Sequence, residues 1–207
     1  MSTSDQRVEF KPWPKTPRLY RDITITEKID GTNAAVQIVP LDLDAPVDLL
    51  ATAYVESDGI VFAVYAQSRK RIITPGDDNA GFARWVEDYA VHIVKTLGPG
   101  VHFGEWWGQG IQRNYGMTEK RFSLFNTSKW GEVLSVSGDG TGLAVVPVLY
   151  EGRFGEVFIQ ECLDDLEYGG SYVADFDRPE GIVVYHHAAN DVFKVLLEND
   201  EYPKGIL

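Results

Sequence analysis

Residues 23–36 read ITITEKIDGTNAAV. Ile23 and Ile25 alternate with Thr24, Thr26 and Lys28, the period of a strand with one buried face. The strand ends on a lysine and turns at once at Asp30-Gly31, a pair common in turns. A second apolar run, AAVQIV, follows directly. Lys28 therefore stands at a strand end, beside a glycine that allows a sharp turn and the close approach of a ligand. An ordinary lysine is protonated at neutral pH and is a poor nucleophile. Desolvation or neighbouring cations lower a lysine's pKa until its amine can attack. Arg69 and Lys194 are candidate cations for that role. Taken alone, KIDG also reads as a charged strand end before a turn.

Outward from this hairpin, PLDLDAPVDLLAT reads as a loop and IVFAVYAQS as a third strand, β-branched and aromatic. Residues 79–97 predict a helix. Phe82, Trp85, Val86, Tyr89, Ile93 and Leu97 recur at helical spacing, Asp78 or Asn79 can cap the start, and Gly98 ends it. VHFGEW is a short strand, followed by a Gly-rich polar loop and RFSLFN. SGDGTG is a turn, FGEVFIQECLDDL a shorter helix, and GIVVYHH with DVFKVLLE a closing hairpin. Residues 1–18, rich in Pro and mixed charge, predict an extended arm laid on the domain. Strands dominate and helices are inserted between hairpins. That is an α+β pattern with largely antiparallel sheets, not alternating βα units.

The length, 207 residues, suits one domain with a sizeable core, and the 44% hydrophobic content is that of a globular protein. The first 18 residues have no apolar signal region, and no apolar run is long enough to span a membrane. A lone cysteine, Cys162, cannot form an internal disulfide and fits a reducing cytoplasm. No zinc-site spacing is present. The net charge of −12 argues against a non-specific nucleic-acid coat protein but leaves room for a local cationic pocket. QSRKR at 67–71, Lys120-Arg121 and Arg113 are such local basic spots.

Three charges fall where the strand period puts hydrophobes. Glu105 is in phase with Val101 and Phe103, Glu180 with Ile182 and Val184, and Lys194 with Val192 and Leu196. Burying an ion without a partner costs several kcal/mol, roughly, so each charge alone would read as a structural ion pair or a strand end reaching water. Together with Lys28 they predict a shared polar cleft of lysines and carboxylates, suited to phosphate and metal chemistry.

TEKIDGTN resembles the nucleotidyl-lysine motif of the covalent nucleotidyltransferases, and specifically that of the RNA ligases, with the nick-sealing phage type as the nearest likeness. SRKR (68–71), FGEWWGQGIQRNYG (103–116), RFSLFN (121–126), EGIVV (180–184) and FKV (193–195) resemble that family's further motifs in order. The resemblance covers residues 23–195 and implies an α+β nucleotidyltransferase fold, the adenylation domain of ATP-dependent ligases. It implies ATP as AMP donor, with Mg2+ or Mn2+. Lys28 would become lysyl-AMP, and the AMP would pass to an RNA 5′-phosphate for sealing by a 3′-hydroxyl. Glu27 would hold the adenine through its backbone, and Asp30, Gly31 and Asn33 would shape the pocket floor. Arg69 would contact phosphate or the RNA end, Glu105 the ribose hydroxyls, and Phe125 the adenine ring. Glu180 would hold the metal and Lys194 the α-phosphate.

The likeness departs at two places: Asn126 stands where the family usually has aspartate, and Leu196 where it has a second lysine. The chain extends only thirteen residues past Lys194, so residues 1–207 are expected to be one adenylyltransferase domain with no C-terminal OB-fold or nick-sensing module. RNA is then expected to be gripped by Arg71, Arg113, Lys120, Arg121 and the aromatic-rich EWWGQGIQRNY loop, or through a partner protein that supplies RNA recognition. Trp106 and Trp107 could equally be core residues. A minimal DNA ligase and a catalytically weakened nucleotide- or RNA-binding homologue are the competing readings.

Overall fold

The computed structural model describes residues 9–42 and 44–198. Two sheets carry the fold. The smaller has the order β11-β10-β1-β9, built from β1 (Asp22–Lys28), β9 (Val148–Arg153), β10 (Gly181–His186) and β11 (Asp191–Leu196). The larger has the order β3-β4-β2-β6-β7-β8. Its strands are β2 (Thr32–Leu41), β3 (Ala53–Ser57), β4 (Ile60–Ser68), β6 (Gly100–Gly108), β7 (Lys120–Leu124) and β8 (Leu143–Val145), and β5 (Ile72–Ile73) pairs with β4. Every named pairing is antiparallel except β7 with β8. The expected α+β class with largely antiparallel sheets holds. β3, β5, β8 and β9 were not anticipated from the sequence.

Each sheet has its own apolar face. Ile23 and Ile25 of β1, with Ile182 and Val184 of β10, pack on Cys162 and Leu166 of helix α3 (Glu156–Gly169). Helix α1 (Phe82–Leu97) covers the larger sheet, where Phe82 and Trp85 meet Trp106 and Phe122 at ring-centroid distances of 4.9–5.7 Å. It begins three residues later than position 79. The Asp78 carboxylate still accepts the Ala83 and Arg84 N–H groups, and Gly98, at φ 66°, closes the far end. Tyr89, expected on the buried stripe, is 38% exposed.

A third, smaller cluster joins the sheets: Ile29, Trp107, Tyr115, Val146 and Val173. It forms the floor between them at the end where β1 delivers Lys28. Trp106 and Trp107 are 2% and 0% exposed, so of the two readings open for these rings the structure takes the core one. Trp107 also donates its indole N–H to Ser123 Oγ at 2.9 Å. The arm differs from expectation as well. Residues 1–8 lie outside the described residues, while 9–18 are exposed throughout, with Trp13 at 90%. No described helix is long and apolar enough to cross a membrane.

Candidate active site

Cross-strand register decides what faces the cleft. Lys28, Gly181 and Leu196 form one row of the smaller sheet, and Thr26, Val183 and Lys194 the next. Residues in register share a face, so Lys28 and Lys194 point to the same side, diagonally placed. Leu196, where the likeness would put a second lysine, is in Lys28's own row. Lys28 Nζ donates to Glu180 Oε2 at 2.5 Å, with the side chains 20% and 11% exposed. Lys194 lies on the exposed edge strand β11.

On the larger sheet, Asn33, Glu105 and Ser123 form a row, and Arg69 follows Ser68, the partner of Ala34. The face that carries Glu105 is not the core face. Val101 and Phe103 are 44% and 56% exposed, whereas His102, Gly104 and Trp106 are buried, Trp106 against Phe82 and Trp85 of α1. Val192 is exposed beside Lys194 in the same way, while Glu180 lies just outside β10, whose Ile182 and Val184 do face the core. Glu105 accepts the Gly31 N–H, and burial raises its pKa to about 7. Lys28, the Gly31 N–H and Arg69 pull the other way, and Glu180 adds to the rise. Lys28, Glu180, Glu105 and Arg69 thus share one electrostatic neighbourhood.

That pKa carries a stability consequence. The folded protein keeps the Glu105 proton up to about pH 7, whereas the unfolded chain releases it near the ordinary glutamate value of 4.5. Stability from this group is therefore full below about pH 4.5 and is lost as pH rises through 7. Melting temperature should fall between pH 5.5 and 8, and Glu105→Gln should flatten that slope. An unchanged slope in the variant would contradict the placement of Glu105.

The turn after Lys28 is held from two sides. Tyr115 Oη accepts the Asp30 N–H at 2.8 Å, and Arg113 Nε donates to Asp30 Oδ2 at 3.2 Å. The Arg113 guanidinium also donates to the carbonyl of Arg178 at 2.9 Å, just ahead of Glu180. The segment 109–116 therefore ties the lysine's turn to the glutamate's approach. Its backbone is strained, with positive φ at Gln112, Asn114 and Tyr115 (45°, 61° and 50°). Packing of Tyr115 against Trp107 and Phe176, at 5.2 and 4.7 Å, holds it there. Burial pushes the Tyr115 phenol well above its ordinary pKa, so it stays protonated. Tyr115→Phe keeps the packing and removes the acceptor for Asp30. It should cost about 1 kcal/mol in urea unfolding, and no loss would mean that water replaces the phenol.

Glu27 points the opposite way from Lys28, into the interior. It is 1% exposed and accepts Ser171 Oγ at 2.6 Å and the Tyr172 N–H at 2.8 Å. Burial raises its pKa, against those two hydrogen bonds. Tyr115 and Ser171 were not anticipated as parts of the site.

Phe125, 42% exposed, follows β7 on the larger sheet. Asn126 caps the short helix α2 (Thr127–Trp130) by accepting the Lys129 N–H at 3.1 Å. The other basic residues have partners. Arg71 pairs with Asp77, Lys120 donates to the Ala80 carbonyl, and Arg121 donates to Glu119 above the Trp107 ring.

A family model described as RNA ligase matches residues 21–196. A comparison with curated proteins returns no match. Among solved structures, a Naegleria gruberi RNA ligase variant with ATP and Mn is similar at TM-score 0.52 and 16% identity, over 85% of this chain and 49% of that one. Another variant of that protein, with AMP and Mn, is similar at TM-score 0.54 and 16% identity, over 86% and 50%. The chain spans about half the length of these structures. At that identity the likeness establishes the fold alone, an α+β arrangement shared with those RNA ligase structures. The matched region runs from β1 into β11 and so takes in Lys28, Glu105, Glu180 and Lys194, and on it the chain belongs to the RNA ligase family.

Proposed function

We propose that the protein is an ATP-dependent RNA ligase working through lysyl-AMP. The observation that carries this reading is the 2.5 Å pair of Lys28 and Glu180, with Glu105 and Arg69 in the same electrostatic neighbourhood. Nζ of Lys28 attacks the α-phosphorus of ATP. A P–N bond forms, the bond to the bridging oxygen of the β-phosphate breaks, and pyrophosphate leaves. An RNA 5′-phosphate oxygen then displaces the lysine and takes the AMP. A 3′-hydroxyl attacks that 5′-phosphorus, AMP leaves and the strand is joined. Such transfers depend on positioning and on neutralising charge.

This chain's residues divide the work. Glu180 fixes the Lys28 amine at the cleft mouth. Asp30, Gly31 and Asn33 shape the floor, with Asp30 held by Arg113 and Tyr115. Glu105 accepts from the ribose hydroxyls, Phe125 stacks on adenine, and the backbone of Glu27 lies along the base. Lys194 and Arg69 meet phosphate. Arg71, Arg113, Lys120 and Arg121 are the cations assigned to RNA, of which Arg113 also serves the fold. No group of three metal-ligating side chains occurs among the described residues. Mg2+ or Mn2+ would therefore be held by Glu180 and the nucleotide's phosphates, in keeping with magnesium's habit of binding through one or two carboxylates plus substrate. Bound there it would offset phosphate charge. RNA repair in the cytoplasm, alone or with a partner protein that recognises RNA, is the setting this reading implies.

The test is strand joining. Nicked duplexes of RNA, DNA and hybrid, together with single-stranded 5′-phosphate RNA, are incubated with protein, ATP and Mg2+. ATP-dependent joining of RNA ends is expected. Efficient joining of DNA alone would replace the reading with a DNA ligase, and ATP binding without joining or AMP transfer would leave a binding protein.

A further inference from the structure

The cleft face of the larger sheet continues beyond the Glu105 row. The next row outward is Gln67, Ala35 and Phe103, extended by Phe125, whose N–H donates to the Phe103 carbonyl at 3.0 Å. The row after that is Tyr65, Gln37 and Val101. Phe103 is 56% exposed, and among the described residues no ring stacks on it. Its neighbour Ala35 is small and, at 2% exposed, is covered by the side chains around it, so the ring stands proud of the strand beside it. Beyond Ala35 lies a paired amide, Gln67 Nε2 donating to Gln37 Oε1 at 2.8 Å. A ring lying open on a sheet, bordered by a small residue and by amides that can hydrogen-bond a base edge, is the construction of a base-stacking platform. A solvated sheet face would ordinarily carry polar residues here rather than Val101 and Phe103.

We propose that this second row is a nucleobase site, in which Phe103 stacks the base of the RNA nucleotide that bears the 5′-phosphate and the Gln67–Gln37 pair meets its edge. The proposal rests on the ligase reading for its choice of RNA end. Two residues along a strand span roughly 7 Å, about the distance from a nucleotide's 5′-phosphate to its base. A 5′-phosphate met by Arg69, level with the Glu105 row, would therefore place its base on the next row, that of Gln67, Ala35 and Phe103, while Glu105 and Phe125 serve the ribose and adenine of AMP. The net charge of −12 gives such stacking added weight, because an acidic chain gains little from general attraction to RNA.

Binding of two fluorescent single-stranded 5′-phosphorylated RNAs is measured by anisotropy on the wild type and Phe103→Ala. One RNA is intact and the other lacks the 5′-terminal base. Phe103→Ala should weaken the intact RNA roughly tenfold and the abasic RNA less than twofold, and Phe103→Tyr should restore the intact affinity. Equal losses on both RNAs, no loss, or no binding of either by the wild type would overturn the proposal. A loss confined to ATP affinity would also overturn it, since the ring would then belong to the adenine. AMP transfer to the wild-type protein is scored separately. Transfer without the base-dependent loss removes the platform alone, and the base-dependent loss without transfer removes the ligase reading alone.

Discussion

Lys28→Ala is expected to reduce transfer of label from α-phosphate-labelled ATP onto the protein to background, while the fold survives. Among the described residues Lys28 is the one amine fixed at the strand end by Glu180, 2.5 Å away. Alanine also strips Glu180 of its cation, and that carboxylate is only 11% exposed, so a stability loss of about 1–3 kcal/mol should accompany the loss of transfer. Lys28→Arg separates the two effects. Its guanidinium can still pair with Glu180 but stays protonated and cannot attack phosphorus. The arginine variant should therefore recover stability and remain unlabelled. Labelling of Lys28→Arg at wild-type rate would remove Lys28 from the chemistry, whatever Lys28→Ala does.

The second large effect is structural. Gly31→Ala should destabilise the protein by about 3 kcal/mol and impair AMP transfer with it. A Cβ at Gly31 would stand 2.5 Å from the Trp106 carbonyl oxygen, 2.7 Å from Trp107 Cβ and 3.0 Å from Glu105 Cγ. The first two are backbone and a fully buried residue, so the turn itself must move. Asp30 and the N–H that Glu105 accepts would move with it. Gly76, with nothing within 4 Å, is the control, and Gly76→Ala should shift the urea midpoint little or upward. Equal behaviour of the two variants would mean that the turn does not lie on β6 as described.

Much of this was legible in residues 23–36. Period-two alternation placed Ile23 and Ile25 inward and Lys28 on the open face, and the Asp30-Gly31 turn fell where expected. The same rule misread Glu105, because alternation says that two faces differ and not which one is buried. Val101 and Phe103 suggested the core, yet α1 covers the face of Gly104 and Trp106. The rule also puts Glu27 in phase with Ile23 and Ile25, and there the carboxylate is buried because Ser171 and the Tyr172 N–H hold it. Those partners lie 144 and 145 positions along the chain, and no local pattern announces them. Tyr115 was hidden for the opposite reason. Its loop is polar and Gly-rich, which suggests exposure, while its ring closes the floor between the sheets. β8 and β9 were missed because three residues and a mixed-polarity run give too little periodicity to read.

The most direct measurement is peptide mapping by mass spectrometry. The protein is incubated with ATP and Mg2+, denatured, digested and searched for a mass increase of one AMP. A single modified peptide spanning TITEKIDG, with fragments assigning the adduct to the amine of Lys28, is the predicted result. An adduct on any other lysine, or none while ATP still binds, would contradict the assignment of Lys28 as the nucleophile.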